Sequence, residues 1–146
     1  MNMKLSTKTR YGMRAILELA EHYGQGPLQT NVIAKRQDIS IKYLEQLMAI
    51  LKASGLVKSV RGARGGYVLA RKPDEIKLSE VFYGLEGSVI TVECLEDQSA
   101  CTRIAECISR QLWAQVQEAV TKVLESMTLQ DLINKAKGQK TENYQI

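Results

Sequence analysis

The chain has 146 residues, of which 45% are apolar, 25% charged and only 5% aromatic, a composition that suits one globular domain or a small domain joined to a long helix. No apolar run approaches the roughly 18 residues that a bilayer span needs, and the opening MNMKLSTKTRYG lacks the apolar stretch of a secretory signal. A cytoplasmic location is therefore expected, with no membrane partner and no default use of the three cysteines in disulfides. The net charge of +4 is unevenly distributed: residues 1–72 hold thirteen Lys and Arg against four Asp and Glu, whereas residues 73–146 hold seven against twelve. A basic front and an acidic back point to a polyanion at one end and different work at the other; scattered solvated charge would not divide by position in this way.

Taken in order, Ser6 is placed to cap a first helix that runs to about Tyr23, with Met13, Ile16, Leu17 and Ala20 as its inward stripe. GQGPL breaks it. Thr30 is the expected N-cap of a short second helix, NVIAKRQ, and Asp38-Ile39 form a turn. Ser40 then starts a third helix whose apolar positions Ile41, Leu44, Leu47, Met48 and Leu51 share one face, and Gly55 stands where a helix-ending glycine belongs. Periodicity alone would equally permit any small three-helix bundle. The choice is tipped by LVKSVRGARGGYVLA, two short alternating runs joined by a turn rich in Gly and Arg, which reads as a basic hairpin. The fold class expected is mainly α with a small β-wing: a winged helix-turn-helix over residues 1–72.

Beyond Pro73, LSEVFYGLEG reads as an amphipathic helix with Leu78, Val81, Phe82 and Leu85 on one side, and Ser88–Glu93 as extended chain. From about Ile104 an apolar ladder (Ile108, Leu112, Val116, Val120, Val123, Leu124, Met127) lasts more than five turns, too long for a small domain to cover. A homodimer with this helix packed on its copy is the natural solution, which makes residues 73–136 a cysteine-loop and dimerisation region. Thr128 and Asp131 resemble a capping box that opens a short last helix, LQDLINKA, and residues 137–146 are expected to be a flexible tail.

In a helix-turn-helix, side chains near the start of the recognition helix reach base edges in the major groove. The outward candidates are Ser40, Lys42, Tyr43, Glu45 and Gln46; Gln pairs with adenine, and Glu accepts from the cytosine amino group. Glu45 could equally be a plain solvated residue, and Tyr43 a packing residue. On the hairpin, Arg61 and Arg64 flank a turn of Gly62, Gly65 and Gly66 and are suited to a narrow minor groove, with Lys58 suited to phosphate. The glycines do not make a nucleotide-binding loop, because no GK[ST] follows and a strand does. One histidine and no nucleophile–base pair leave nothing from which to build catalysis, so the chain is not expected to be an enzyme.

Cys94, Cys101 and Cys107 form C-x6-C-x5-C ahead of the long helix. Thiolates gathered so closely in sequence suit zinc, iron–sulfur or redox chemistry. The nearby carboxylates Glu93, Glu96, Asp97 and Glu106 raise thiol pKa values, which favours a metal that deprotonates its ligands over a simple activated thiol.

ISIKYLEQLMAILKASGLVKSVRGARGGYVLA closely resembles the winged-helix regulators typified by IscR, NsrR and CymR, with YLEQL and the RG-x-x-GGY wing as the specific part. LSTKTRYGMRAILELA fits that group's first helix, and the resemblance extends to about Ala136. It implies a homodimeric bacterial transcription factor, usually a repressor, on a two-fold-related double-stranded DNA operator. Carried over, Ser40, Tyr43, Glu45, Gln46 and Arg61 are its DNA contacts, Glu45 and Gln46 tuning sequence choice. The IscR and NsrR look-alikes also imply an iron–sulfur cluster on Cys94, Cys101 and Cys107, 2Fe–2S ahead of 4Fe–4S. The first gap here is one residue longer than in that pattern. Arg110 stands where the IscR pattern has a histidine, and Lys8, Thr9 and Arg10 stand where the NsrR pattern has a carboxylate, so the fourth ligand is open; His22 is placed to cap helix 1 rather than bind iron. Two other readings remain. One is a DNA-binding regulator whose cysteines are a thiol switch or zinc clip, or whose sensing is given to a protein partner as in CymR look-alikes. The other is a redox or metal-transfer protein with no DNA role, which the basic front argues against.

Overall fold

The computed structural model describes residues 5–87 and 108–144, with side chains to Gln139. Among them are six helices, α1 (Thr7–Glu21), α2 (Thr30–Gln37), α3 (Ile41–Ala53), α4 (Leu78–Glu86), α5 (Ile108–Ser126) and α6 (Leu129–Tyr144). A two-stranded antiparallel sheet of β1 (Val57–Val60) and β2 (Gly66–Leu69) and a 3-10 turn at Pro73–Glu75 lie between α3 and α4. This is the expected winged helix-turn-helix followed by a long helix.

Local chemistry explains most of the boundaries. Ser6 caps α1, its Oγ accepting the Thr9 N–H at 3.1 Å, and His22 is the C-cap residue. The inward face is rotated from the expected stripe: Thr9, Gly12, Ala15, Ile16, Leu19 and Ala20 are buried, whereas Met13 and Leu17 are half-buried. Small residues decide this. A Cβ on Gly12 would come within 2.6 Å of the Leu85 side chain, so α4 packs directly over the backbone of α1. The second helix begins one residue early: Gln29 is the N-cap, without a side-chain bond, and Thr30 is the first helical residue. Asp38 turns the chain in the left-handed region at φ 54°, a conformation Asp tolerates through its short polar side chain.

In α3, Ser40 Oγ accepts the Tyr43 N–H at 3.0 Å, and Gly55 at φ 75° follows the C-cap Ser54. Leu44, Leu47, Met48 and Leu51 are buried as expected, each such side chain contributing about 1.5–3 kcal/mol. Ile41 falls on the same angular face but is 49% exposed.

Residues on both sides of position 72 build one apolar core. Ile16, Leu44, Met48 and Leu51 share it with Ile76, Val81, Leu85, Leu129 and Ile133. The start of α6 is tied to the chain before α4 by Leu78 N–H to the Met127 carbonyl at 2.9 Å and Leu129 N–H to the Ile76 carbonyl at 3.0 Å. Thr128 and Asp131 exchange reciprocal bonds of 2.8 and 3.2 Å, the expected capping box. The helix they open does not stop near Ala136 but continues to Tyr144, where a tail was expected. Lys, Ala, Gln and Glu are good helix formers, and polarity alone does not end a helix.

The hairpin pairs Val57 with Leu69 and Val60 with Gly66. Its base is sewn to the loop before α2 by two 3.0 Å bonds between Leu28 and Tyr67. Gly66 permits that seam, since it holds φ 144° and a Cβ there would collide with the Leu28 carbonyl. Gly66→Ala is therefore expected to cost about 2–4 kcal/mol through backbone strain and overpacking, read as a lower urea midpoint; an unchanged midpoint contradicts the seam.

Candidate nucleic-acid interface

The first two turns of α3 present one bare side. Ser40, Lys42, Glu45 and Gln46 are exposed, while the opposite face is sealed in the core. At about 100° per residue, Glu45 and Gln46 fall on the side of the helix turned away from Leu44, Leu47, Met48 and Leu51. Tyr43 is half-buried: its ring meets the Tyr11 ring of α1 edge to face, centroids 6.1 Å apart and planes 80° apart. The packing alternative for Tyr43 is thus part of its role.

The wing carries the other cations. Lys58 is exposed on β1, and Arg61 and Arg64 are exposed on the connecting turn, which a Gly65 N–H to Gly62 carbonyl bond of 3.0 Å closes. Lys52 Nζ donates to Ser59 Oγ at 3.0 Å, joining the end of α3 to the wing. Gln29 Nε2 donates to the Ala63 carbonyl at 3.5 Å, a weaker tie from the wing tip to the start of α2. The arginines that are ion-paired among the described residues lie elsewhere: Arg36 with Glu18 at 3.2 Å and Arg71 with Glu80 at 2.6 Å.

Cys94, Cys101 and Cys107, like the extended segment expected at Ser88–Glu93 and the helix start expected at Ile104, lie outside the described residues. Among the described residues no group of three or more His, Cys, Asp and Glu could hold a metal ion. Three thiolates are donors that iron accepts; Arg110 is not a fourth, because a guanidinium stays protonated and has no lone pair to give. Arg110 is half-buried on α5, with its Nε buried and without a hydrogen-bond partner among the described residues.

The cysteine segment leaves the described fold just after Glu86, and this residue makes a contact that periodicity could not reveal. Its Oε2 accepts from Ser6 Oγ at 2.6 Å and from the buried Thr9 hydroxyl, closing the end of α4 onto the N-cap of α1. Separations of 80 and 77 residues hide this pair from any local pattern. Tyr11 escaped for the same reason, because its ring partner Tyr43 lies on another helix, and Arg14, one turn along α1, holds its guanidinium carbon 5.1 Å from the centre of the Tyr11 ring.

Both the sequence and the fold that carries this basic wing have known relatives. Residues 5–135 match the family model Rrf2, described as an iron-dependent transcriptional regulator. The chain belongs to the Rrf2 family. It is 42% identical to Protein rrf2 of Nitratidesulfovibrio vulgaris over 92% of this chain and 89% of that one. It is 44% identical to the HTH-type transcriptional regulator CymR of Bacillus subtilis over 94% of both chains. The solved structure of that CymR, described as a global cysteine regulator, superposes with a TM-score of 0.78 over 92% of this chain and 98% of that one, at 43% identity. IscR of T. potens superposes with a TM-score of 0.76 over 93% and 90%, at 41% identity. This Rrf2 protein is accordingly a DNA-binding transcriptional regulator, and its relatives are regulators rather than enzymes. No helix among its described residues is long and apolar enough to cross a membrane.

The Glu86 contact is testable by pH. Hydroxyl donation from Ser6 and then Thr9 holds its carboxyl below the ordinary value of 4.5. A depressed folded pKa stabilises fully above the unfolded value and loses that contribution as pH falls through the folded one. Glu86→Gln is expected to lower stability near neutral pH, with the gap to wild type closing as pH falls below 4.5; a gap independent of pH would contradict the contact.

Proposed function

We propose that the chain is a homodimeric regulator, repressing from a two-fold-related operator, whose grip on DNA follows the state of an iron–sulfur cluster held by Cys94, Cys101 and Cys107. Ser40, Lys42, Tyr43, Glu45 and Gln46 serve the major groove; Arg61 and Arg64 serve the adjacent minor groove, and Lys58 a phosphate. Glu45 faces a polyanion at an electrostatic cost, so it acts in base choice rather than affinity.

The observation that carries the dimer is the bareness of α5. Its 19 residues include none that is buried, and Ile108, Leu112 and Val123 are 80%, 51% and 58% exposed. An apolar ladder on a helix about 28 Å long is stable in water only when another surface covers it, and a second copy supplies the same ladder by symmetry.

Sensing is supported by where the cysteine segment is anchored. It runs between α4 and α5, which pack together, and α4 packs on α1 and α3. Three thiolates drawn to one cluster constrain that segment and therefore the two helices at its ends. Only a difference in cluster affinity between the DNA-competent and incompetent states converts this into regulation. When bound, the cluster would supply redox- and oxygen-sensitive cross-linking of the three cysteines; the protein supplies the ligands and the helices at the ends of the segment.

Arg110 favours a second reading, in which the regulator has no cluster and responds through thiol oxidation, zinc or a protein partner; the likeness to CymR supports it too. Anaerobic reconstitution with iron and sulfide separates the two. The cluster reading expects visible absorbance that is lost in Cys94→Ala, Cys101→Ala and Cys107→Ala, and an operator affinity that differs about 5- to 150-fold between loaded and cluster-free protein. A colourless, iron-free protein that still binds its operator overturns the cluster and leaves the second reading, to be resolved by zinc analysis and disulfide mass.

A further inference from the structure

We infer that Arg14, on α1, is an additional DNA-backbone contact, held beside the recognition helix by the ring pair of Tyr11 and Tyr43. The inference rests on the reading of α3 as the helix that enters the groove. Tyr43 lies on the first turn of α3, between Lys42 and Glu45, and its ring meets Tyr11 edge to face. Arg14 stands one turn further along α1, with its guanidinium carbon 5.1 Å from the centre of the Tyr11 ring. The three side chains form a file that leads sideways off the recognition helix.

Groove dimensions say what such a file meets. The major groove is about 12 Å wide, and a helix with its side chains is about 10–12 Å across. A group one ring-layer to the side of the inserted helix therefore stands against the phosphate wall rather than over the bases. The chemistry at that place is suitable. Arg14 is exposed, and its charge is held on an aromatic face rather than in either of the described ion pairs, which engage Arg36 and Arg71. Cation–π contact fixes a guanidinium without using up its N–H donors, leaving the planar fork available for bidentate phosphate recognition. The same stack restrains Tyr43, so the phosphate contact and the setting of the recognition helix are mechanically joined.

The test uses the full chain and a duplex selected on it from a random pool, with a scrambled duplex beside it, and measures affinity against salt concentration. For Arg14→Ala the log–log slope is expected to become shallower by about 0.9, the contribution of one released phosphate contact, and both duplexes to weaken by the same factor. Arg14→Lys, which keeps the charge, restores the slope. Tyr11→Leu loses the same increment, and adding Arg14→Ala to it removes nothing more. Lys135→Ala, an exposed charge on α6, controls for net charge and leaves the slope unchanged. A full slope in Arg14→Ala, or a loss equal to that of Lys135→Ala, overturns the contact while leaving the DNA-binding reading intact. A wild-type protein with no salt-dependent duplex binding overturns both.

Discussion

The burial of one face of α3 is the constraint on which the rest depends. Leu44, Leu47, Met48 and Leu51 are almost wholly withdrawn from water against α1, α2 and α4. That seal fixes the rotation of the helix about its axis, and so decides which side chains remain outside. Ser40, Lys42, Glu45 and Gln46 are presented because their neighbours cannot be, and the Ser40 cap fixes where presentation begins. The wing is held in the same frame, with Leu56 and Val57 buried in the core and the Leu28–Tyr67 seam at its base. Reading DNA with such an element takes little chemistry of its own; it takes a helix that cannot roll.

The same core is what lets a distant segment matter. Gly12 brings α4 onto the backbone of α1, and Glu86 closes the end of α4 onto the cap of α1. From α1, Tyr11 reaches Tyr43 on α3. Each link is a packed contact with a definite geometry, and together they join the end of α4 to α3 through α1. The ladder of α5 leaves Ile108, Leu112 and Val123 exposed, while its end, at Leu124 and Met127, packs against the same core.

How much of this was legible in the sequence follows from the range of the physics. Caps at Ser6 and Ser40, the turn at Asp38 and the box at Thr128 and Asp131 are decided by residues within four positions of one another, and the wing by two short runs either side of one turn, and all were readable. Thr30 misled because a hydroxyl near a helix start resembles a cap wherever it falls. Ile41 misled because periodicity assigns a face but not whether anything lies against it. Polarity hid the helix beyond Ala136. The Glu86–Thr9 and Tyr11–Tyr43 contacts join residues far apart in the chain, and no local pattern encodes them. The cysteines were legible as a cluster of thiols but not as a defined site, because Arg110 removes the ligand that would have completed the pattern.

The central claim is that two copies of this sealed, one-sided helix read one operator, and hydroxyl-radical footprinting on a duplex selected by the protein tests it most directly. Two protected half-sites are predicted, related by two-fold symmetry and centred a whole number of helical turns apart, about 34–36 Å or a multiple of it. A single asymmetric patch, or protection with no fixed register on the selected sequence, would contradict it.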